Sequence, residues 1–257
     1  MGKITKIILL DNLKNKVVIA YFVLLALISW TSMMLQDNET KGALTILNVV
    51  LFIAPLMSMV YTVIYLYDSR DFLTMLLCQP LRRRDVWQSL YVGCSVSLLS
   101  AFLLGAGIPI ILYGDVVTSA VQLLMGCAVT LIFTSLAFLI AMLISEKTRG
   151  IGASLLLWLL FTMIYDAVLL FLVFMFSDYP IEQPLMGLLM LNPLDLARFQ
   201  GVLKLDVAAM RGSSGALFTD SFGDTRGMVV SAVLLLARII LSYPTAPRLV
   251  RSKDLVY

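Results

Sequence analysis

The sequence contains no histidine, and it has only three cysteines, at positions 78, 94 and 127. Histidine is the commonest metal ligand and the usual general base near neutral pH, so its absence disfavours a metalloenzyme or an acid–base enzyme. Two cysteines fall in apolar runs and the third in a charged loop, a pattern that predicts no disulfide framework. The chain has 14 methionines, but without histidine or a Cys-x-x-Cys pair we expect them to fill apolar helices and to bind no copper.

Charge is also scarce, because charged residues make up 14% of the chain, where a soluble domain has about 25%. Hydrophobic residues reach 60%, and this excess needs a non-aqueous solvent. Four runs, 17–36, 43–67, 118–145 and 151–177, hold about 20 or more consecutive residues with at most one ionisable group, the length that crosses a bilayer. The runs do not alternate as barrel strands do, so each of them predicts a helix.

The predicted fold is therefore an all-α, polytopic membrane protein with a single domain, residues 1–257. A short amphipathic helix at residues 1–16 is expected to lie in the headgroup plane, and a half-ordered charged tail is the alternative. Six spans are predicted, at 17–36, 43–67, 88–112, 118–145, 151–177 and 227–243. The sixth is short, about 25 Å long against a hydrocarbon core of about 30 Å, and Arg238 interrupts it.

The basic residues are shared unevenly between the two sides of these six spans. Thirteen of the 19 lysines and arginines fall on the side of the two termini, and five fall on the other side. Because cytosolic loops are rich in lysine and arginine, both termini are expected in the cytosol, with residues 178–226 on the outer side of the membrane. The net charge of +3 follows from this asymmetry, and no nucleic acid needs to be invoked.

A phosphate-binding loop of the form G-x-x-x-x-G-K-[ST] is also missing from the sequence. The glycines at 150 and 152 are followed by Ala153 and Ser154, without a lysine. The chain is therefore expected to be no enzyme, to bind no cofactor of its own, and to depend on a partner for any ATP chemistry. An enzyme of lipid chemistry would need convergent carboxylates, histidines or a metal at the interface, and no histidine is present.

The loop 68–87, DSRDFLTMLLCQPLRRRDVW, carries apolar residues between two charged ends. Its apolar residues are Phe72, Leu73, Met75, Leu76 and Leu77. Pro80 ends the predicted helix, and the basic run Arg82–Arg84 follows. Such an amphipathic helix suits a lever that docks into a partner protein, and it equally suits an interfacial helix that touches only lipid and anionic headgroups.

This loop resembles the coupling region of permeases in type II ABC exporters, in which an acidic-basic start and a Leu-Leu pair precede Pro, an aliphatic residue and Arg. The matching positions are Asp68, Arg70, Leu76, Leu77, Pro80, Leu81, Arg83 and, in the third span, Gly93. The resemblance implies the type II exporter permease fold, and it implies that the loop, with Phe72 and Leu73, inserts into a groove of a separate cytosolic ATPase subunit. It also implies that this ATPase binds ATP and Mg²⁺, and that its closure rocks two copies of the permease.

A narrower resemblance lies in residues 191–206, LNPLDLARFQGVLKLD, which are similar to the outer segment of NosY-type permeases. That family serves the transporter that helps to mature the copper–sulfur centre of nitrous oxide reductase. Asn192 is a good N-cap and Pro193 a good first helical residue, so a helix is predicted from Leu194 to about Met210, with Leu196 toward the membrane. The charged residues of this helix are expected near water. By the resemblance, the residues that meet a periplasmic partner protein are Asn192, Pro193, Asp195, Arg198, Lys204 and Asp206.

Several alternatives stay open at this point. The segment 191–206 also fits an interfacial helix that only seals the outer face of a permease dimer. Residues 211–218, RGSSGALF, lack the aromatic-containing turn expected of the NosY-type family. A general export permease for lipid, drug or other small cargo, and a non-transporting scaffold that joins an ATPase to a periplasmic partner, are the rival functions.

Asp166 is an ionisable residue near the middle of the fifth predicted span. A carboxylate there is unfavourable, so it predicts either a functional group, lining a water-filled path or paired with a cation, or an uncharged group hydrogen-bonded between helices. Arg238 is the only basic residue placed within a predicted span, and it lies near enough to the cytosolic end to extend its guanidinium outward.

Overall fold

The computed structural model of the protein describes residues 2–35, 39–77, 83–114, 116–176, 187–188 and 191–198. Every regular element in these ranges is helical. The helices are α1 (Gly2–Lys14), α2 (Lys16–Leu35), α3 (Glu39–Asp68), α4 (Arg70–Leu77), α5 (Arg83–Phe102), α6 (Ile108–Tyr113), α7 (Val116–Leu143), α8 (Lys147–Leu159) and α9 (Tyr165–Met175). Two π-helical turns, Leu103–Gly107 and Leu160–Ile164, join α5 to α6 and α8 to α9. Residues 193–198 form a further helical stretch.

Five helical stretches in the described part of the chain are long and apolar enough to cross a membrane. These spans, first to fifth, are Lys16–Leu35, Gly42–Asp68, Asp85–Tyr113, Ser119–Leu143 and Lys147–Met175. They coincide with the first five predicted spans to within a few residues, so the prediction of an all-α, multi-pass membrane protein is confirmed. The predicted sixth span, 227–243 with Arg238, lies outside the described residues, as do Pro80, Leu81, Lys204 and Asp206.

The packed body of the bundle is made by α2, α3, α5 and α7. Tyr21 on α2 and Phe102 on α5 are fully buried in it. Gly126 on α7 lies under the Phe102 ring, and a Cβ at that position would come within 2.2 Å of the ring. Helices in a membrane associate through close packing at small residues, and this glycine leaves the room that the ring occupies.

The N-terminal helix α1 packs on the third span. Ile8 is 2% exposed and fills a notch over Gly93, where an added Cβ would lie 2.5 Å from Ile8 Cγ2. The predicted apolar face of this helix is only partly used in packing, because Ile7 is 60% exposed. The structure thus has a docked helix at the position where a half-ordered tail was the alternative.

The antiparallel spans gather the connecting segments at two ends of the bundle. We call the end that carries α1, the α3–α4 junction and residues 144–147 the basic end. The other end, which we call the opposite end, carries the C-terminus of α2, the N-terminus of α7 and residues 193–198.

The fifth span is covered far less than its neighbours by the rest of the described chain. Only 6% of its apolar stretch is buried, compared with 50%, 56% and 56% for the second, third and fourth spans. Its outward face includes Leu156, Phe171 and Phe174, which are 70%, 65% and 79% exposed. A membrane protein leaves such a face to lipid or to another apolar surface.

Candidate functional site

The first candidate site is the junction of α3 and α4 at the basic end. Asp68 ends α3, Ser69 makes the turn, and α4 begins at Arg70. Leu73 is 6% exposed and points into the bundle, whereas Phe72 and Met75 are 44% and 70% exposed. The cluster that receives Leu73 contains Ile8, Leu66, Val86, Leu90, Cys94 and Phe138. The helix α4 is therefore attached by one face and presents an apolar surface on another.

The connection between the fourth and fifth spans fastens this junction. Arg70 Nη1 donates to the Ser145 carbonyl oxygen over 2.6 Å, and the Arg70 guanidinium lies 4.3 Å from the centre of the Tyr67 ring. Lys147 Nζ lies 2.5 Å from Asp68 Oδ1. The helix α4 is therefore bonded to the segment that leads into the fifth span as well as joined to the end of the second span.

The tyrosine at this junction explains a glycine whose role the sequence did not reveal. The Tyr67 hydroxyl donates to the Ile144 carbonyl oxygen over 2.8 Å, and Gly150 lies directly against it. A Cβ on Gly150 would lie 2.1 Å from Tyr67 Oη, so the residue cannot carry a side chain without moving the ring. Gly152, two residues on, has nothing within 4 Å of such a Cβ.

A buried polar network ties α1 to the second and third spans beside the same junction. Asn12 is 0% exposed. Its Oδ1 accepts a hydrogen bond from the Tyr61 hydroxyl, and its Nδ2 lies 3.9 Å from Cys94 Sγ. The Tyr65 hydroxyl lies 3.5 Å from Asp11 Oδ2. Sequence reasoning missed this network, although an asparagine on an otherwise aliphatic helix face was a signal of a polar partner.

The residues predicted to couple to an ATPase are brought together only in part within the described chain. The structure places Asp68, Arg70, Phe72 and Leu73 at the junction. Leu76 and Leu77 end α4 and Arg83 begins α5, but their side chains lie outside what the structure describes, and so do Pro80 and Leu81.

The second candidate site, at the opposite end, is built around residues 193–198. The Leu194 N–H donates to Asn192 Oδ1 over 3.1 Å, which is the N-cap bond that satisfies a free donor at a helix start. Pro193 occupies the first helical position, which needs no N–H donor. The predicted start of this helix is therefore confirmed.

The same helix is inserted among the spans, which corrects the predicted position of its charged residues. Leu194, Leu196 and Ala197 are buried, in one cluster with residues of the second, fourth and fifth spans. Asp195 was expected near water, and that expectation is wrong because Asp195 is 5% exposed. Of the four described residues named for contact with a periplasmic partner, Arg198 alone is exposed.

Asp166 of the fifth span meets this helix directly. Arg198 Nη1 donates to Asp166 Oδ2 over 2.8 Å, so the cation that pairs with Asp166 comes from the segment after the span. Asn192 Nδ2 lies 2.9 Å from Asp195 Oδ2 and 2.9 Å from the Phe161 carbonyl oxygen. Phe161 belongs to the π-helical turn Leu160–Ile164, a type of distortion that is frequent at functional sites.

The surroundings of Asp195 favour its neutral form. Burial, together with the hydrogen bond and the charge of Asp166, raises the pKa of Asp195 from 3.8 to about 7, against the opposing effects of Asn192 and Arg198. Burial disfavours an ionised carboxylate, and a second carboxyl group nearby adds to that effect. In the described part of the chain, no three histidine, cysteine or acidic residues form a group that would hold a metal ion.

Comparison with known proteins supports a transporter subunit. No family model matches the chain. A probable ABC transporter permease protein NosY from Pseudomonas aeruginosa is 28% identical over 231 residues, which cover 79% of this chain and 82% of the relative. A protein with the same name from Stutzerimonas stutzeri is 27% identical over 185 residues, covering 67% of this chain and 65% of the relative. The resemblance to NosY-type permeases is confirmed, and this multi-pass membrane protein is similar to ABC transporter permease subunits.

Proposed function

We propose that the chain is the permease of an ATP-driven transporter in the inner membrane, with its basic end in the cytosol. Its finer role would be that implied by the NosY resemblance, assembly of the copper–sulfur centre of nitrous oxide reductase together with a periplasmic partner. The observation that carries the proposal is the α3–α4 junction. There α4 is attached to the bundle by Leu73 and exposes Phe72 and Met75. Beside them, Arg70 is bonded to the Ser145 carbonyl oxygen and Lys147 is paired with Asp68. The similarity to two NosY proteins supports the same assignment.

The proposed mechanism uses α4 as a lever between an ATPase subunit and the spans. The exposed side of α4 docks into the ATPase, and nucleotide-driven closure moves it. The Leu73 cluster joins that movement to α1 and the third span. The Arg70–Ser145 and Lys147–Asp68 contacts join it to the fifth span. ATP and Mg²⁺ are held by the ATPase, and this chain supplies no step of the hydrolysis.

A second copy of the chain completes the proposed pathway. The fifth span leaves its apolar stretch 6% buried and the first span 22% buried, which provides the surface that two copies can share. Two such faces meeting in the membrane would pack by van der Waals contact alone. Cross-linking of single cysteines along Leu156–Phe174 in membranes tests this: linked dimers support a shared face, and monomers at every position contradict it.

The lever is tested by replacing its exposed apolar residues in the complex reconstituted in vesicles. In the double variant Phe72→Asp/Met75→Asp, two carboxylates enter the proposed contact, and we expect the ATPase to detach and transport-linked hydrolysis to fall by at least about tenfold, the equivalent of about 1.4 kcal/mol. The control Phe72→Leu/Met75→Leu keeps the surface apolar and should retain activity. A second variant, Leu76→Asp/Leu77→Asp, changes the Leu-Leu pair, and we expect it to uncouple ATP hydrolysis from transport.

The same vesicles separate the proposed transporter from its rivals. The lever is supported if Phe72→Asp/Met75→Asp loses transport-linked hydrolysis, Leu76→Asp/Leu77→Asp uncouples it, and the leucine control keeps normal coupling. Normal coupling in both aspartate variants contradicts it. Cargo movement that follows hydrolysis distinguishes a permease from a scaffold that only recruits the ATPase to a periplasmic partner.

A further inference from the structure

The opposite end brings two carboxyl groups and one guanidinium together among the described residues. Arg198 Nη1 is engaged with Asp166 Oδ2 at 2.8 Å. Asp195 Oδ2 accepts from the amide of Asn192 at 2.9 Å, which is a neutral donor. If both aspartates were ionised, the group would hold two negative charges against one positive charge.

The surplus charge would lie where water reaches poorly. Asp195 is 5% exposed and Asn192 is 0% exposed, and Leu194, Leu196 and Ala197 are buried around them. An ionised carboxylate in such surroundings is strongly unfavourable unless a cation pairs with it. Among the described residues, Arg198 is bonded to Asp166 and Asn192 is a neutral donor. Binding a proton would therefore remove the charge of Asp195.

We propose that Asp195 binds one proton and shares it in a hydrogen bond with Asp166, and that this hydrogen bond holds helix 193–198 to the fifth span. In the proposed state, an oxygen of Asp195 binds a proton taken from water and donates the resulting O–H to the Asp166 carboxylate. Arg198 neutralises the single negative charge that remains. Loss of the proton returns it to water and leaves two carboxylates facing each other, so the helix is held less firmly.

The contacts around the pair show why the proton would act on the whole helix. Asn192 donates from the same Nδ2 to Asp195 and to the Phe161 carbonyl oxygen, each at 2.9 Å. The Tyr165 hydroxyl donates to the Leu188 carbonyl oxygen over 2.5 Å. The segment is thus bonded to the fifth span before the N-cap at Leu188, at the N-cap Asn192, and after it at Arg198. Asp195 lies between Asn192 and Arg198, so a charge on Asp195 acts at the centre of these contacts.

The groups that face Asp195 come from several elements of the described chain. The fifth span contributes Asp166 and Tyr165, and the helix itself contributes Arg198. The second and fourth spans contribute apolar side chains to the cluster around the helix, namely Leu47, Leu51, Met125, Val129, Ile132 and Phe133. Among the described residues, the charges that set the proton affinity are therefore those of Asp166 and Arg198.

The direction of the pH dependence follows from the pKa of Asp195. It is raised by burial and by Asp166 from 3.8 to about 7 while the helix is docked, and it returns toward 3.8 when the helix leaves. Docking is therefore strongest below about pH 4, weakens as the pH rises to about 7, and levels off above that. Between pH 5 and pH 7 the open fraction should rise by at least about tenfold.

The test uses the full chain in lipid nanodiscs. Hydrogen exchange of peptides that cover residues 193–198, corrected for the intrinsic rate at each pH, should show that protection falls by at least about tenfold from pH 5 to pH 7. Asp195→Asn keeps the shape and removes the titrating group, so protection should stay high and flat. The control Asp11→Asn, at the basic end, should keep the wild-type profile. A flat wild-type profile, or an unchanged slope in Asp195→Asn, would overturn the proposal.

A second measurement decides the matter even if Asp195→Asn does not dock. Infrared difference spectra of protein carrying ¹³C-labelled aspartate should show the carbonyl stretch of a protonated carboxyl group near pH 6 and its loss by pH 9. In Asp166→Asn, Arg198 is released toward Asp195, and the midpoint of that loss should fall by at least about one pH unit. Absence of the band in the wild type, or an unmoved midpoint in Asp166→Asn, would contradict a shared proton.

Discussion

The two ends of the bundle each carry an ion pair to the fifth span, in contrasting surroundings. At the basic end the Lys147 and Asp68 side chains are 51% and 55% exposed. At the opposite end Arg198 and Asp166 are 44% and 31% exposed, and they adjoin Asp195, which is 5% exposed. Water screens the first pair more than the second, which shares its site with a buried carboxyl group.

The different exposure of the two ion pairs indicates that the two ends of the bundle are held by different means, although each has an ion pair. The basic end is held by shape, through the seat of Leu73, the ring of Tyr67 over Gly150 and the notch for Ile8. The opposite end is held by the buried Leu194, Leu196 and Ala197 and, in our proposal, also by the charge balance around Asp195. The proposed lever α4 would need a firm attachment that does not depend on ionic conditions. The proposed proton-dependent attachment of helix 193–198 would instead respond to them.

The largest effect is expected from removing the cation at the opposite end. Within the described part of the chain, Arg198→Met leaves Asp166 and Asp195 without a positive partner. We expect a loss of about 2–3 kcal/mol in the free energy of unfolding, less than for a fully buried pair. Arg149→Met is the matched control, because the Arg149 and Glu146 side chains are 77% and 62% exposed. The free energy of unfolding of each variant is measured by titration with a denaturing detergent at pH 7. Equal losses would show that the two ends do not differ in this way.

An intermediate effect is expected from filling the space beside Tyr67. Gly150→Ala places a Cβ 2.1 Å from Tyr67 Oη, so the ring must swing away from Ile144 and Arg70. We expect a loss of about 1–2 kcal/mol from overpacking and the broken contacts. Gly152→Ala meets nothing within 4 Å and should be neutral or stabilise α8 by up to about 1 kcal/mol. The measurement is the thermal unfolding of both variants under identical detergent conditions. An unchanged stability of Gly150→Ala would contradict the view that the basic end is held by shape.

The smallest effect is expected from the exposed pair at the basic end. Lys147→Met, Asp68→Asn and the double variant form a cycle whose coupling energy should be below about 1 kcal/mol. The coupling should vanish in 1 M salt, because the screening length then falls to about 3 Å. A salt-resistant coupling above about 2 kcal/mol would mean that charge also holds this end.

Much of the fold could be predicted, because its main signal is local. Long apolar runs report membrane spans directly, and the five described spans begin and end near the predicted positions. The start of helix 193–198 was also predictable, since Asn192 and Pro193 satisfy the donors of their own first turn. Both are properties of neighbouring residues.

The details of both sites could not be predicted, because they depend on contacts distant in the sequence. Asp195 and Arg198 are charged, and local pattern places them in water. Their real surroundings include residues of spans that are distant in the sequence, as the Arg198–Asp166 contact shows with its separation of 32. The bond from Arg70 to the carbonyl of Ser145 has no side-chain signature at its acceptor. No periodicity in one segment reveals such partners.

The π-helical turn Leu160–Ile164 has a consequence for the direction in which Asp166 points. Such a turn holds one more residue than an α-helical turn, and each residue rotates an α-helix by about 100°. Removing one amino acid there would restore a regular helix and swing Asp166, with everything after it, by that angle away from Arg198. The additional residue therefore rotates the second half of the span relative to the first. A single continuous span can thus face one set of neighbours in its first half and another in its second.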